Sequence, residues 1–408
     1  MKSPTKNSTI LLATFSPWKN GLRLPINGNV EPLLDFFVPK VRKTVLIDQV
    51  YPGSDFVMPQ VEVHVNKKRT IKKLSRWVYV LYPFLTLTNT GATHVTFKLR
   101  DFLSVLDVGS QASKPYDYFI GLEAINALAG VILRKCKKVK KVIYYVSDYS
   151  PNRYKQKWFN DLYLWLDRQA AMHADVIWDV SWAMQPARVK AGLDPEKSAP
   201  VLQVPNALYP KQIQQASEKE ILPHSLVFMG TLGRENGPDL AIASLPFVLK
   251  KFPKATLHIV GGGEGNEERL ERLAKKLKVT KSVVFHGFIS DREKVSETIK
   301  RFAVALAPYS AIPGSARLYG DATKIRAYLA AGLPTITTSV PPLGKDAEKK
   351  NAALIVKDTP KDLAEGIIRI FTDKKLSGDL RKNAFAFAKN NTWEKEFSLA
   401  FKKMEKLR

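Results

Sequence analysis

The chain has 408 residues and carries 64 Lys and Arg against 38 Asp and Glu, a formal charge of +26. That length exceeds one ordinary hydrophobic core and suits two domains of about 200 residues each. With 45% hydrophobic and 25% charged residues the composition is that of a globular chain, which excludes an intrinsically disordered one. A single cysteine, Cys136, excludes an intrachain disulfide and fits a reducing, cytoplasmic setting. The opening MKSPTKNS runs straight into TILLATF, so no secretory leader is expected. The charge points to a polyanionic partner: nucleic acid, an anionic membrane face or a phosphate-bearing substrate. Zinc-ligand spacing, an RNP-type aromatic strand and a recognition-helix unit are all missing, so no nucleic-acid partner is expected.

In chain order, the first half offers strands at 9–15 (TILLATF), 43–50 (KTVLIDQV), 116–122 (YDYFIGL), 140–148 (KKVIYYVSD) and 175–181 (DVIWDVS), with helices over 123–135 and 163–173. Between the second and third strands, the basic run 66–76 (NKKRTIKKLSR) abuts 77–87 (WVYVLYPFLTL). The apolar part is shorter than the roughly 20 residues of a spanning helix and contains Pro83. It reads either as a core helix with a solvated basic first turn or as a segment lying in a membrane interface. VLQVPNALY (201–209) is an apolar strand that breaks at Pro205 and Asn206. The domain boundary falls there: 1–205 forms the first domain, 206–391 the second, and 392–408 a C-terminal helix packing back on the first.

The second half alternates more regularly. Strands are predicted at 225–230 (SLVFMG), 255–263 (ATLHIVGGG), 282–288 (SVVFHGF), 303–310 (AVALAPYS), 333–338 (LPTITT) and 352–357 (AALIVK). Helical patterns lie between them at 240–252, 266–279, after Ser290 and Asp291, and at 322–332 (ATKIRAYLAAG), with another at 362–373. This alternation predicts an α/β fold, a parallel sheet covered on both faces. Ligands of such sheets sit at the carboxyl ends of the strands.

HADVIWDVS followed by VPNALY, then LVFMGTLGRENGPDLAIASLP, LHIVGGGE, VVFHGFIS and KIRAYLAAGLPTITT, in this order, resemble the GT-B glycosyltransferases of the retaining, glycogen-synthase-like (family 4 type) group. The resemblance is strongest from Tyr116 to Pro334 and weakest before about residue 110. It implies GT-B architecture, two Rossmann-like domains with a cleft between them. It also implies a hexosyltransferase-type enzyme moving a sugar from a nucleotide-diphosphate sugar to an acceptor hydroxyl, retaining and metal-independent. No cofactor or metal is expected beyond the donor substrate, because the six histidines lack ligand spacing and no Asp-x-Asp site is present.

The resemblance also assigns residues. Gly230 and Gly237 match the glycines of the donor-domain opening, but Thr231 and Asn236 stand where the family carries its diphosphate-binding Arg and Lys. Arg234 is either a substitute for those cations or a solvated loop residue. Gly263 either brings backbone close to phosphate at a helix N-terminus or simply turns the chain. Phe288 stands where relatives contact the base, or is a buried aromatic ending a strand. The family's Glu-x7-Glu pair corresponds to Tyr319 and Ala327, so both glutamates are absent. The variant pattern YGD-x-TK takes their place. It makes Lys324 a diphosphate contact and Asp321 a ligand for sugar hydroxyls, with Tyr319, Gly320 and Thr323 among the donor-binding residues. Asp321 or Thr323 as a helix N-cap is a compatible reading.

In the first domain Asp148 follows a strand where relatives place a catalytic or acceptor-side polar group. There it orients an acceptor hydroxyl or carries its proton, or else serves as a turn residue before Pro151. Glu123 is a second candidate, against an ordinary helix-start carboxylate. Asn20 and Gly21 follow the first strand, where the family has a flexible glycine loop. The expected partners are a nucleotide-sugar donor, a glycan or lipid-linked acceptor and an anionic membrane surface, with the protein peripheral at the inner face. Two other classes stay open. One is a catalytically decayed nucleotide-sugar-binding protein, given the missing glutamates and cations. The other is a nucleic-acid binder with steep salt dependence.

Overall fold

The computed structural model describes residues 3–24, 29–51, 54–79, 93–263, 265–289 and 291–407. The chain separates into two compact units, residues 1–205 with 396–408, and residues 206–395. Both are α/β, as the alternation of strands and helices predicts.

Among the described residues the first unit has an eight-stranded sheet in the order Val201–Gln203, Val176–Asp179, Val139–Val146, Tyr116–Leu122, Thr9–Ser16, Lys43–Val50, Gln60–Val65, Lys68–Lys72. The first six run parallel and the last two add on antiparallel. Thr9–Ser16 lies at the centre and is buried along almost its whole length, because helices cover both faces of a parallel sheet and leave no polar face to alternate with. The helix Trp393–Glu405 sends Phe397 and Phe401 into this unit, where they pack on Phe36, Phe37, Tyr118 and Trp178 at ring separations of 5.2 to 6.2 Å.

Three expectations change here. The basic run 66–76 does not start as a helical turn: Gln60–Val65 and Lys68–Lys72 form a hairpin. Asn66 and Lys67 turn it with φ of 48° and 68°, the geometry a two-residue hairpin demands. Lysines on the outermost strand discourage further pairing at a sheet edge. From residue 80 onward the apolar stretch 77–87 lies outside the described residues, and among those described no helix is long and apolar enough to cross a membrane. Asn20 and Gly21 do not form an open loop. They are the tight turn, with φ of 52° and 69°, of a small hairpin of Trp18–Lys19 and Leu22–Arg23. That hairpin places Arg23 on Asp48 (2.6 Å) and Glu62 (2.5 Å). Finally, the helix Thr93–Ser110 escaped the periodicity reading, because Arg100, Asp101, Ser104 and Asp107 occupy buried positions on it. Arg100 is spent on the carbonyl oxygens of Val50 (3.0 Å) and Val57 (2.6 Å) and on Asp101.

The second unit has a six-stranded, all-parallel sheet, again among the described residues, in the order Val283–Gly287, Thr256–Val260, Leu222–Met229, Phe302–Ala307, Thr335–Thr337, Ala353–Ile355. The helix after the Ser-Asp start begins at Arg292, with the Asp291 carboxylate accepting from the backbone of Glu293 (2.8 Å) and Lys294 (3.3 Å); Ser290 lies outside the described residues.

A buried network ties four elements of the first unit. Arg188 of the helix Met184–Lys190 donates to Asp179 at a strand end (2.6 and 2.9 Å) and to Asp167 of the helix Lys157–His173 (3.0 Å), and Asp167 also accepts from the Tyr144 hydroxyl (2.6 Å). Arg188→Ala leaves two buried carboxylates facing each other, and chemical denaturation is expected to show a loss of about 3–5 kcal/mol; a loss below about 1 kcal/mol would remove the network's structural role.

Candidate active site

In the second unit the site forms where adjacent strands end. Leu222–Met229 runs out at Gly230 and Thr256–Val260 at Gly261, with Gly230 N donating to Val260 O and Gly261 N to Gly287 O, both at 2.9 Å. A Cβ on Gly261, whose φ is +155°, would meet the Gly230 carbonyl oxygen at 1.8 Å, so only glycine permits these strand ends to approach. A Cβ on Gly230 would lie 3.3 Å from Cε of Lys324. The bare backbone is therefore what admits the lysine to the strand ends.

Lys324 projects from the first turn of the helix Thr323–Ala330 and is buried. Its ammonium lies 4.0 Å from the Phe228 ring centroid, 4.7 Å from that of Tyr309 and 3.4 Å from the carbonyl oxygen of Asn236. Among the described residues no carboxylate is in ion-pair contact with it. Burial, and secondarily the nearby Arg317 guanidinium, push its pKa well below that of an ordinary lysine, while Glu235 works in the opposite direction. A buried lysine with no ion-pair partner among the described residues, at the carboxyl ends of parallel strands, is poised to take up an anion. Arg317, in the turn Ala316–Leu318, is a second cation that sequence reasoning passed over.

The other donor-side candidates fall as follows. Thr231 accepts at Oγ1 from the Asn236 amide (2.7 Å), so the two positions where the family's cations would stand form a neutral, hydrogen-bonded loop. Arg234 is exposed in the turn Arg234–Asn236 of this loop. Gly263 is exposed just before the helix Asn266–Lys276. Phe288 is 78% exposed, which excludes a buried strand-end aromatic and leaves its ring face open. Tyr319 and Gly320 are half-buried, with Gly320 N donating to Ala316 O (2.8 Å). Thr323 is exposed at the first helical position.

Asp321 is a correction. Its side chain is only 1% exposed, its carboxylate takes the Nε–H of Arg326 at 2.8 Å and the backbone N–H of Asn206 at 2.8 Å, and it caps no helix; the cap position is Ala322. Arg326 in turn donates to Asn391. Buried and bonded at both oxygens inside the protein, the carboxylate presents no open face to sugar hydroxyls. Asp321 instead anchors the helix that carries Lys324 to the segments at 206 and 391.

In the first unit Asp148 lies at the end of the strand Val139–Val146, its side chain 52% exposed and 3.5 Å from Arg153. Glu123, at φ +64° between the strand Tyr116–Leu122 and the helix Ala124–Lys135, bonds Lys98 (2.5 Å) and Arg153 (3.4 Å). Burial opposes its ionisation, but the two cations outweigh it and hold the carboxyl at about 2. It is a member of an ion-pair cluster rather than a lone carboxylate at a helix start. Among the described residues no group of three or more His, Cys, Asp or Glu is placed to hold a metal ion.

Asp321→Ala strands the Arg326 charge, and thermal and denaturant unfolding are expected to show a loss of about 3 kcal/mol or more. Unchanged stability with lost ligand binding would instead return Asp321 to the ligand.

Residues 211–387 match the family model described as glycosyl transferases group 1, somewhat under half of the chain. Among curated proteins the chain is 27% identical over 212 residues to the O-antigen biosynthesis glycosyltransferase WbnH of Escherichia coli, and equally to the probable O-antigen biosynthesis glycosyltransferase WbiN of the same organism. Each match covers 52% of this chain and 53% of the relative, so the chain spans about half the length of the curated relatives it matches. Among solved structures it is similar to Anabaena HepE in complex with UDP (14% identity, TM-score 0.67, 98% of this chain and 100% of that one). It is also similar to the sucrose-phosphate synthase of Thermosynechococcus elongatus (16% identity, TM-score 0.69, 98% of each chain). The chain thus has the two-domain GT-B fold of these structures, and residues 211–387 of its second unit match the glycosyl transferases group 1 model.

Proposed function

We propose that the protein transfers a sugar from a nucleoside-diphosphate sugar to an acceptor hydroxyl. The observation that carries this reading is the buried ammonium of Lys324 at the glycine-lined strand ends, beside Arg317 and inside the group 1 domain. Breaking a glycosyl–phosphate bond leaves a nucleoside diphosphate bearing new charge. Cations and backbone N–H groups fixed beforehand in a dry site stabilise that charge without having to reorganise. Lys324 and Arg317 supply cations on this reading, which makes the transfer metal-independent, and the exposed Phe288 ring offers a face to the base. Retention of anomeric configuration and the role of Asp148 on the acceptor side belong to the same proposal. HepE was crystallised with UDP and UDP-glucose, which makes uridine diphosphate the first nucleotide to try. The relatives named for O-antigen biosynthesis make a cell-envelope glycan the first acceptor class, handled close to the membrane.

A binding protein without turnover is the second reading, favoured by Tyr319 and Ala327 standing in place of the paired glutamates. A thermal-shift screen with UDP-, GDP-, ADP- and dTDP-sugars separates the outcomes. Selective stabilisation by one nucleotide family supports a donor site, and no shift with any of them sinks it. Transfer to an added glycan then distinguishes enzyme from binder.

Lys324→Met is expected to weaken nucleoside-diphosphate binding roughly 10- to 100-fold, the worth of a charge-assisted hydrogen bond, with the fold retained by circular dichroism. The free protein holds the Lys324 proton weakly and a bound anion holds it more tightly. Affinity should therefore fall as pH rises through the lowered pKa, with proton uptake on binding over that range. Calorimetry in buffers of different ionisation enthalpy reads that uptake, and its absence at every pH would remove Lys324 from the diphosphate.

A further inference from the structure

The positive charge of the first unit gathers on one edge of its sheet. Six of the eight strands run parallel, so their starts share that edge, and the register levels them. Thr9 lies beside Lys43, Lys43 beside Val65 and Val65 beside Lys68, while Tyr116 lies beside Val139. The segments that lead into the edge are bonded to one another. Arg42 N donates to Ser8 O (3.1 Å), Asn66 N to Arg42 O (3.2 Å) and Tyr116 N to Lys138 O (2.9 Å). Each segment brings a cation: Lys6, Arg42, Lys67, Lys68, Lys114 and Lys137 are all exposed there. Five strand spacings separate Val139–Val146 from Lys68–Lys72, so the row is about 24 Å long.

Helix ends widen the row into a face. A Cβ on Gly130 of the helix Ala124–Lys135 would run into the Phe119 ring, and Phe401 of the helix Trp393–Glu405 packs on Tyr118. Neighbouring residues of a strand point to opposite faces, so these two helices flank the sheet on its two sides. The first ends at Lys135, beside Lys137. The second ends at the same edge, because Glu405 accepts from the backbone N–H (3.0 Å) and hydroxyl (2.5 Å) of Ser3, and it brings the exposed Lys402, Lys403 and Lys406.

The charge on this face is largely unopposed. Asp117 is taken by Lys140 (2.7 Å) and the Thr9 N–H (2.8 Å), and Glu405 by Ser3. Burial, then the neighbouring Lys72 and Arg42, push the Lys43 pKa below the ordinary lysine value. At the starts of the strands Val176–Asp179 and Val201–Gln203 the pattern stops: Asp175 pairs with Arg134 and Lys141, and Asp194 with Lys197. Lys135, Lys402 and Lys403 complement the negative ends of their helices. Lys6, Arg42, Lys67 and Lys114 stand on no helix, so that reason does not cover them. Like charge collected on one face costs stability by self-repulsion and attracts an anionic partner.

We propose that this face docks the protein on the anionic surface of a lipid bilayer. The cations come from the sheet edge and from helix ends on both sides of it, which makes a face rather than a groove tracking one strand of polymer. No exposed side chain described at this edge is aromatic, so unpaired bases find no stacking platform. Lysines outnumber Arg42, and a flexible point charge suits headgroups that diffuse better than it suits fixed bidentate contacts. The eight residues of Thr9–Ser16 put about 26 Å between this edge and the carboxyl ends that bear Glu123 and Asp148. Docking therefore holds those residues above the headgroups, on the far side of the unit. The assignment does not depend on the transferase reading.

The test sediments the full chain with phosphatidylcholine vesicles, with and without phosphatidylglycerol. Binding is expected with phosphatidylglycerol only, falling steeply as salt rises. The variant Lys6→Gln/Arg42→Gln/Lys67→Gln/Lys114→Gln should bind about 100-fold more weakly, since each cation near an anionic bilayer adds its own attraction. Lys254→Gln/Lys276→Gln/Lys281→Gln/Lys374→Gln removes the same charge from exposed positions of the second unit and should cost about threefold at most. Circular dichroism checks the fold of both. Orientation is read through Cys136, the single cysteine, exposed between Lys135 and Lys137. A dye there should transfer energy to headgroup-labelled lipid more efficiently than a dye on Asn152→Cys in a Cys136→Ser background. No sedimentation at low salt, undiminished binding in the first variant or a reversed order of energy transfer overturns the assignment. So does tighter binding of duplex DNA at equal phosphate concentration, which would make the face a nucleic-acid site.

Discussion

Two strands of the second unit end closer together than any side chain allows: the backbone of Gly261 lies against the carbonyl of Gly230, where a Cβ would come within 1.8 Å. Much of the site follows from this contact. The strand ends present peptide groups rather than side chains, and the space that a residue at 230 would have filled is taken by the stem of Lys324. The aromatic rings of Phe228 and Tyr309 close around the ammonium, so its charge is kept from water without being neutralised. A lysine on the surface would be hydrated and indifferent to an anion. Here the cost of burial makes it selective for one.

Such a charge can be held only if its helix is fixed independently of the ligand. The pair Asp321–Arg326 does this, buried at both partners and extended to the backbone at Asn206 and the side chain of Asn391. Arg188 with Asp167 and Asp179 plays the corresponding part in the first unit. These buried charges are matched by opposite charge and hydrogen bonds, and their work is to fix elements in place. Lys324 has one long hydrogen bond, to the Asn236 carbonyl, and no ion-pair partner among the described residues, and the difference between a scaffold charge and a binding charge lies in that imbalance.

The first unit holds a cavity lined by charged side chains at strand ends and by apolar side chains of the helices Thr93–Ser110, Ala124–Lys135 and Lys157–His173. Its polar end falls at the carboxyl ends of two parallel strands, where Glu123 is held at a positive φ and fully ionised between two cations. Its apolar walls come from helices whose stripes, read in sequence, are ordinary core patterns. The exposure of Leu162 and Trp165, which both line the cavity, shows that part of this stripe faces outward.

The sequence by itself determined the α/β class, the glycine-terminated strands of the second unit and the position of Lys324, because these depend on local patterns: apolar runs of strand length, glycines at their ends and a helical register after them. It also held a signal that was passed over, since Asn20-Gly21 between two short strand-like pieces is a hairpin turn in its own right. What the tertiary structure decided were the partners. Asp321 read as a ligand because its nearest claims, Arg326 five residues on and the backbone of Asn206, 115 residues away, are not visible along the chain. Arg317 became a neighbour of Lys324, and Phe288 an exposed ring, only once the strands had been ordered in the sheet. Local pattern fixes which residues share a face. Whether a charge on that face is neutralised or left for a ligand depends on residues that sequence distance hides.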